Sequence, residues 1–406
     1  MKILFINYWD KTGGAAIAAH RLYRGLLNRG VKVEYLVQHK ITDDENVHLV
    51  SQPGYINKIV NKYSEKKINK EKSKLETMFP WSINLNQSNI IRDIKKINPD
   101  VVHFHWIGHN LVNIGSFLKI NKPIVWTLHD SWAFTGGCHI PYDCRGYENE
   151  CGSCPQLKSD KVKDLSSTVL EEKQKTISQV KNITIVCPSK WLTVCAKKSS
   201  VLKRNTIYNI PNGLNINVFK EYDSGNKKRF GFSKNKKIVL FGSVGSLIDE
   251  NKGAALLLEA IRRLLLTRND IELAIFGSEK RNIEVDCNTI FLGNINDEEE
   301  LSSIYSCVDV FVAPSKSENL PNTVLESLAS GTPVVAFNIG GIPDIITHKF
   351  NGYLAKPFDV NDLSDGIGWV LDNKKRLESN TSKSIKEKFD IENISETYIK
   401  LYNEII

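Results

Sequence analysis

Short apolar runs alternate with helical stretches along this chain of 406 residues, and the pattern occurs twice. Before residue 190 the runs are KILFIN, VKVEYLV, DVVHFH, PIVWTL and ITIVCPS; after residue 236 they are KIVLFG, IELAIFG, TIFLG, VDVFVAP and PVVAF. Apolar strands separated by helices predict parallel sheets with helices on both faces. Periodicity is lost in PNGLNINVFKEYDSGNKKRF, so residues 211–236 are predicted to be a linker. We therefore expect an α/β protein with two Rossmann-like, doubly wound domains facing a central cleft.

Length and composition agree with two folded domains of similar size. The chain is longer than a single hydrophobic core usually supports, and its 41% hydrophobic and 25% charged residues are close to globular averages. No window approaches the roughly 18 consecutive apolar residues of a membrane span. The short apolar run in MKILFINYWD predicts a buried first strand rather than a signal peptide, and thus a cytoplasmic protein.

The net charge of +8 is unevenly distributed. Residues 58–76 contain seven lysines and three glutamates, and apolar residues at 56, 59, 60 and 63 have helical spacing. An amphipathic helix with a lysine face could contact an anionic membrane peripherally, for example at the inner face of the cell membrane. The plainer interpretation is a solvated helix. No nucleic-acid-binding motif accompanies the lysines, so nucleic acid is not expected as a partner.

Ligands of doubly wound sheets bind beyond the carboxyl ends of the strands, and polar or small residues follow several strands here. Gly13 and Gly14 come after the first strand and open a helix, where small residues let a backbone approach a phosphate. His129 and Asp130 end another apolar strand, and a histidine there can donate to a hydroxyl or transfer a proton. The segment GGAAIA lacks the third glycine of the dinucleotide fingerprint and no Walker A sequence is present, which disfavours nicotinamide and P-loop enzymes.

The second half of the chain carries a lysine and two glutamates in comparable places. Lys252 precedes a helix, where its charge could neutralise a diphosphate. In SENLPNTVLE, Glu318 lies in a loop after a strand and Glu326 inside the helix that follows. Carboxylates accept hydrogen bonds from vicinal hydroxyls, and the free helix N–H groups between them suit phosphate oxygens. Sugar hydroxyls together with a diphosphate describe a nucleotide sugar.

The segment DVFVAPSKSENLPNTVLESLASGTPVVAFNIGGIPDII resembles the retaining glycosyltransferases of family 4, which have the two-domain GT-B fold. The resemblance covers most of the chain. It implies that Glu318 contacts the donor sugar, that Glu326 contacts the ribose, and that Lys252 binds the diphosphate. It further implies that His129 contacts the transferred sugar and that the remaining donor-binding residues are Gly13, Gly14, Asn319, Leu320, Asn322 and Thr323. His129 and Glu318 are the residues it associates with catalysis.

One position departs from the family pattern. An arginine usually follows the first strand of the second domain, whereas this chain has Ser243 and Val244 in LFGSVGS. Either another basic residue substitutes, or the site depends more on Lys252 and amide donors.

The resemblance implies transfer of a glycosyl group from a UDP- or GDP-sugar to a hydroxyl of a glycan or lipid-linked acceptor, with retained configuration and no cofactor for catalysis. Bacterial surface polysaccharide synthesis is the expected setting. The alternatives are a noncatalytic nucleotide-sugar-binding subunit and a nucleotide-sugar epimerase of the same architecture. The resemblance also implies an acceptor domain of residues 1–212, completed by a crossing helix at about 385–406, and a donor domain of residues 213–384.

Four cysteines within seventeen residues, Cys138, Cys144, Cys151 and Cys154, form the pattern CHIPYDCRGYENECGSC. This spacing predicts a structural zinc site, in which His139 could replace one thiol. Free thiols and disulfides are the alternatives. In VVHFHW, structural roles are favoured for His103 and His105.

Overall fold

The computed structural model describes residues 1–51, 59, 62, 81–84, 89–222, 224–280, 283 and 285–406. These residues form two compact units, Met1–Pro211 with Ile394–Ile406, and Asn212–Asn393. The amphipathic helix predicted for residues 58–76 lies outside the described residues, apart from positions 59 and 62. Within the described part of the chain, no helix is both long and apolar enough to cross a membrane. The assignment of the first unit to the acceptor and the second to the donor stays a prediction.

The first unit contains a sheet of seven parallel strands in the order β3-β2-β1-β4-β5-β6-β7. The strands are β1 Lys2–Trp9, β2 Lys32–His39, β3 Val47–Leu49, β4 Val101–Phe104, β5 Ile124–Thr127, β6 Ile183–Cys187 and β7 Thr206–Asn209. The helices are α1 Gly14–Asn28, α2 Ile90–Ile97, α3 Leu165–Ile177 and α4 Lys190–Lys198. Short 3-10 helices span Ile114–Lys119, Trp132–Phe134, Gly146–Glu148 and Pro155–Leu157.

The second unit contains six parallel strands in the order β10-β9-β8-β11-β12-β13. The strands are β8 Lys237–Gly242, β9 Ile271–Phe276, β10 Thr289–Gly293, β11 Val310–Ala313, β12 Val334–Phe337 and β13 Gly352–Ala355. The helices are α5 Ala254–Leu265, α6 Glu298–Cys307, α7 Asn322–Ala329, α8 Ile342–Ile345 and α9 Val360–Phe389. Two 3-10 helices span Ser224–Phe230 and Glu250–Lys252, and the last helix of the chain is α10 Ile391–Ile405.

The predicted fold class, two parallel α/β sheets, is confirmed, and each of the ten predicted apolar runs forms a strand. Every residue of β4, β5, β11 and β12 is buried, as helices on both faces of a sheet require. The linker prediction was wrong for much of its length. Leu214 and Phe219 are fully buried in the second unit, and Leu214 exchanges backbone hydrogen bonds with Phe389 and Ile391. These apolar residues are widely spaced in a polar sequence, which hides them from a search for periodicity.

The last helix, α10, completes the core of the first unit. The Tyr402 hydroxyl lies 2.6 Å from Nδ1 of His103, and the Tyr398 hydroxyl lies 2.9 Å from Oγ1 of Thr127. Thr127 Oγ1 also lies 2.8 Å from Nε2 of His103. Both ring nitrogens of His103 therefore have partners, and the structural role expected for this histidine agrees with its contacts.

Glycines allow two loops of the second unit to touch beyond the ends of β11 and β12. Gly340 has φ +50°, and a Cβ atom there would overlap the carbonyl oxygen of Glu318. The backbone N–H of Gly341 donates to the same oxygen over 3.1 Å. The loop that carries Glu318 is thus held against the turn that opens α8.

Three histidines with lowered pKa values predict a pH-dependent stability. Burial lowers the pKa of His103 and His105 well below the usual value and that of His129 to about 4. The unfolded chain protonates its histidines near pH 6.5 while the folded chain does not, so the unfolded state binds more protons. The contribution of these histidines to the free energy of unfolding should therefore be complete above about pH 7 and should decrease as the pH falls toward 4. Urea unfolding between pH 7.5 and about 5 measures this slope. His103→Gln should reduce it by up to about 1.4 kcal/mol per pH unit, and a flat profile would contradict the interpretation.

Gly340→Ala should destabilise the second unit by about 2–4 kcal/mol, because it adds a steric overlap with Glu318 to the cost of a left-handed backbone. Gly293→Ala is the matched control, since Gly293 also has positive φ but its Cβ would meet nothing within 4 Å. We expect the control to lose about 1 kcal/mol in denaturant unfolding. Equal losses in the two variants would show that the overlap is relieved at little cost.

Candidate functional site

An ion pair lies beyond the ends of the two central strands of the second unit. Asp249, after β8, caps the 3-10 helix that ends at Lys252, and Gly253 with φ +73° is the N-cap of α5. Nζ of Lys252 lies 2.8 Å from Oε1 of Glu318, which follows β11. The strand order reverses between β8 and β11, so this is the edge where ligands of doubly wound sheets bind.

Lys252 is charged at neutral pH. Burial by itself would lower the pKa of its ammonium group, but the Glu318 carboxylate beside it raises this pKa above the usual value. The side chains of Lys252 and Glu318 are 26% and 13% exposed, so both can still be reached from solvent. The pair presents a fixed cation and a hydrogen-bond acceptor side by side.

Backbone contacts hold the loop between β11 and α7 in place. The side-chain amide of Asn251 donates to the Ser317 carbonyl over 2.9 Å, and the backbone carbonyl of Asn251 accepts from the Lys316 N–H over 2.7 Å. A Cβ on Gly253 would overlap the Pro314 carbonyl oxygen, so this glycine also permits a close approach of the loop. The position of Glu318 is therefore set by contacts on two sides, from the residues before α5 and from the turn at Gly340.

Helix α7 contains Glu326, as the sequence predicted, and has Pro321 at its N-cap. The Leu320 carbonyl accepts from the Asn212 side chain over 3.3 Å, and Leu320 itself is buried. Glu326 is 3% exposed, and its Oε2 accepts a long hydrogen bond of 3.4 Å from the Tyr305 hydroxyl. Of the three charged residues predicted in this half, the structure pairs Lys252 with Glu318, whereas Glu326 contacts Tyr305.

Serine hydroxyls follow β8 and β9 of the same sheet. Ser243 stands where the family pattern has arginine, and Ser278 comes just after β9. Considering only the described residues, the buried hydroxyl oxygens of both serines lack a hydrogen-bond partner. Hydroxyls can donate to phosphate oxygens, which makes both residues candidates for a phosphate site. Sequence reasoning did not single out Ser278, because a lone serine after a strand is too common to carry a signal.

In the first unit, Gly13 is the N-cap of α1 with φ +85°, and a Cβ atom there would meet nothing within 4 Å. The backbone conformation explains a glycine at this position, and the open space leaves room for a ligand beside the helix N-terminus. Gly14 is the first residue of that helix.

Asp130 is the centre of a polar network beyond β5. Its carboxylate accepts from Nδ1 of His139 and Nε1 of Trp106, each over 2.6 Å, and from the Trp132 backbone N–H over 2.8 Å. Burial favours the neutral acid, but these donors keep the pKa of Asp130 below its usual value. His129, next to it, is half-buried and neutral at pH 7, and its Nε2 lies 3.1 Å from Nδ1 of His105.

The zinc site predicted for the four cysteines stays a prediction. Among the described residues, which include all four, no three His, Cys, Asp or Glu side chains are placed to hold a metal ion. The ring nitrogens of His139 contact Asp130 and Ser82 instead. Burial raises the pKa of Cys138 to about 12 and that of Cys151 to about 11, so these thiols stay protonated. All eight cysteines of the chain are free.

Lys173 on α3 is a buried lysine that sequence reasoning did not single out, and burial lowers the pKa of its ammonium group to about 7. Its Nζ donates to the carbonyls of Trp132 and Thr135 and lies 3.7 Å from the centre of the Trp132 ring. These contacts bind α3 to the loop that carries Asp130.

Comparison with known proteins connects both units to one family. The model for glycosyltransferase family 4 matches residues 12–218, and the model for glycosyl transferases group 1 matches residues 224–388. An uncharacterized glycosyltransferase of Methanocaldococcus jannaschii is 27% identical over 99% of this chain and 98% of its own length. The alignment therefore extends through both units.

Solved structures share the fold over the whole chain. Anabaena HepE in complex with UDP and glucose has a TM-score of 0.67 at 16% identity, covering 100% of both chains. WaaG, described as a glycosyltransferase involved in lipopolysaccharide biosynthesis, has a TM-score of 0.64 at 14% identity, covering 98% of this chain and 99% of its own. With two sheets of the same GT-B architecture and family models matching both units, the chain belongs to glycosyltransferase family 4 and is a retaining glycosyltransferase that uses nucleotide-sugar donors.

Proposed function

We propose that this enzyme transfers a hexosyl or N-acetylhexosaminyl group from a UDP-sugar to a hydroxyl of a glycan or lipid-linked acceptor, in the synthesis of a bacterial surface polysaccharide. The observation that carries the proposal is the Lys252–Glu318 pair, which combines a cation with a hydroxyl acceptor beyond β8 and β11. UDP in the HepE structure and the involvement of WaaG in lipopolysaccharide biosynthesis support the choice of nucleotide and pathway.

The two members of the pair have different proposed partners. Lys252 binds a donor phosphate oxygen, because an ammonium group forms strong charge-assisted hydrogen bonds with phosphate. Glu318 accepts from hydroxyls of the donor sugar. Since the two atoms are 2.8 Å apart, a donor that contacts both would do so at the junction of its sugar and its diphosphate.

Residues around the start of α7 complete the proposed donor site. The backbone N–H groups of Asn319, Leu320, Asn322 and Thr323 are proposed to face the sugar and phosphates, since a helix N-terminus favours negative charge. Glu326 is proposed to accept from the ribose hydroxyls, replacing the long hydrogen bond from Tyr305. In the first unit, Gly13 and Gly14 are proposed to lie beside the phosphates, and His129 to contact the transferred sugar.

The proposed reaction breaks the bond between the anomeric carbon and the diphosphate oxygen. The acceptor oxygen bonds to the same face of that carbon, and its proton leaves with the departing diphosphate. Lys252 and the amide donors stabilise the charge that develops on this leaving group, which is where a preorganised cation lowers a barrier most. We propose a cytoplasmic location, with the lysines of residues 58–76 contacting the inner face of the membrane where a lipid-linked acceptor would lie.

Binding of the donor is tested by a thermal-shift panel of UDP, GDP, ADP and their sugar conjugates on the wild type, Glu326→Ala and Glu326→Gln. A ligand at one hundred times its Kd stabilises the folded state by about 2.7 kcal/mol, which corresponds to several degrees in Tm. We expect UDP and a UDP-sugar to raise Tm of the wild type and to have a much smaller effect on Glu326→Ala. No shift with any nucleotide at millimolar concentration would contradict the donor site.

Two outcomes separate the alternatives. Binding without glycosyl transfer to any acceptor tested would favour a noncatalytic subunit. The reason to consider this alternative is the serine at position 243, where the family usually has an arginine. Release of free sugar products with no acceptor present would favour an epimerase.

Lys252→Met should reduce kcat/KM for the UDP-sugar by about 10²–10³-fold, because it removes the cation proposed to stabilise the leaving group. Lys252→Arg keeps the charge and should lose less. Lys236→Met is the matched control: it removes one positive charge from the same unit, but at the amino end of β8, where Lys236 donates to the Asn269 carbonyl. Steady-state kinetics of the three variants measure these changes in kcat/KM. If Lys236→Met lowered kcat/KM as much as Lys252→Met, the loss would be due to net charge and not to the position of Lys252.

A further inference from the structure

Two histidines from neighbouring strands of the first unit meet beyond the carboxyl edge of the sheet. His105 follows β4 and His129 follows β5, two strands that pair in parallel. Nδ1 of His105 lies 3.1 Å from Nε2 of His129, and the two rings stack with centroids 5.4 Å apart and planes at 27°. The proposed function assigns a role to His129 but none to His105.

His105 is fixed in one orientation by its surroundings. It is 2% exposed, with the Phe5 ring 4.6 Å and the His103 ring 4.2 Å from its own centroid. In the part of the chain that the structure describes, its Nε2 has no hydrogen-bond partner. A buried polar atom without a partner costs free energy, so the unpaired Nε2 of His105 lowers the stability of the first unit.

The position of the protons follows from these contacts. Burial keeps both rings neutral, and each therefore carries one N–H. If His129 donated from Nε2, His105 would carry its proton on Nε2 and bury an N–H without an acceptor. If His105 donates from Nδ1, its Nε2 carries no proton, and the buried group without a partner is an acceptor nitrogen and not an N–H. Orphaned buried N–H groups are the rarer of the two defects, so the second arrangement is favoured.

We propose that His105 is a positioning residue that donates from Nδ1–H to Nε2 of His129 and thereby holds His129 as the neutral tautomer with its proton on Nδ1. The proposal rests on the proposed contact of His129 with the transferred sugar. In that tautomer, Nδ1 of His129 is a donor and not an acceptor. His129 can then donate to an oxygen lone pair of the sugar, but it cannot accept a proton and so does not act as a general base.

The stability of one variant and its activity should move in different directions. His105→Leu removes the donor and the unpaired Nε2 while keeping an apolar side chain in a buried site. We expect Tm equal to or above that of the wild type, because the buried atom without a partner is gone. We expect kcat/KM for the UDP-sugar to fall about tenfold, the loss of one neutral hydrogen bond that orients the ring. Affinity for UDP alone should not change, because UDP lacks the sugar that His129 is proposed to contact.

His105→Asn is the matched control. Its side-chain amide nitrogen occupies nearly the place of Nδ1, so it can still donate to His129. We expect this variant to recover most of kcat/KM, within about threefold of the wild type. A histidine with only a packing role would respond oppositely, since leucine fills the space better than asparagine.

NMR of 15N-histidine-labelled full-length protein reads the tautomer without any substrate, with the His129 signals identified by their loss in His129→Asn. We expect a proton on Nδ1 of His129 in the wild type and a mixture of tautomers in His105→Leu. A proton on Nε2, unchanged kcat/KM in His105→Leu, or no recovery in His105→Asn would each overturn the proposal. If the wild type neither binds nor transfers from any nucleotide sugar, the proposed function fails, and the tautomer measurement still tests the histidine pair.

Discussion

The geometry of parallel strands determines where everything else in this protein can lie. Each crossover returns the chain to the same edge of the sheet, so all carboxyl ends meet there while both faces are covered by helices. At the two points where strand order reverses, between β1 and β4 and between β8 and β11, the outgoing connections diverge and leave room for a ligand. Lys252 and Glu318, 66 residues apart in the chain, become neighbours for this reason, and so do His105 and His129.

The interior strands of each sheet and one edge strand, β10, could be predicted from the sequence, but the other three edge strands could not. The ten strands found in advance include the continuous apolar runs that two covered faces require. The strands that were missed, β3, β7 and β13, each lie at a sheet edge and contain three or four residues. In TIYN of β7, no residue is fully buried, so no apolar run exists to be detected. Short edge strands form because a partner strand is available, and this information lies elsewhere in the chain.

The candidate site divides in a similar way. Residue type and position after a strand were sufficient to select His129, Lys252 and Glu318. They did not show that Lys252 pairs with Glu318 or that His105 contacts His129. They also did not show that Asp130 accepts hydrogen bonds from three donors. Such contacts depend on the register of neighbouring strands. The zinc site of the four cysteines stays a prediction. Their spacing permits a zinc site, but spacing carries no information about the direction of each thiol. The donor contacts carried over from the family remain predictions.

The last helix has a consequence for the order in which the protein can fold as it is made. Tyr398 and Tyr402 are part of the core of the first unit, yet they are synthesised after the whole of the second unit. At about 5–20 residues per second, a ribosome needs roughly 10–40 s to go from residue 211 to Tyr402. During that interval His103 lacks the Tyr402 hydroxyl, and apolar surface that α10 later covers is open to solvent. The first unit is translated first, but its core can be completed only after the second unit has been synthesised.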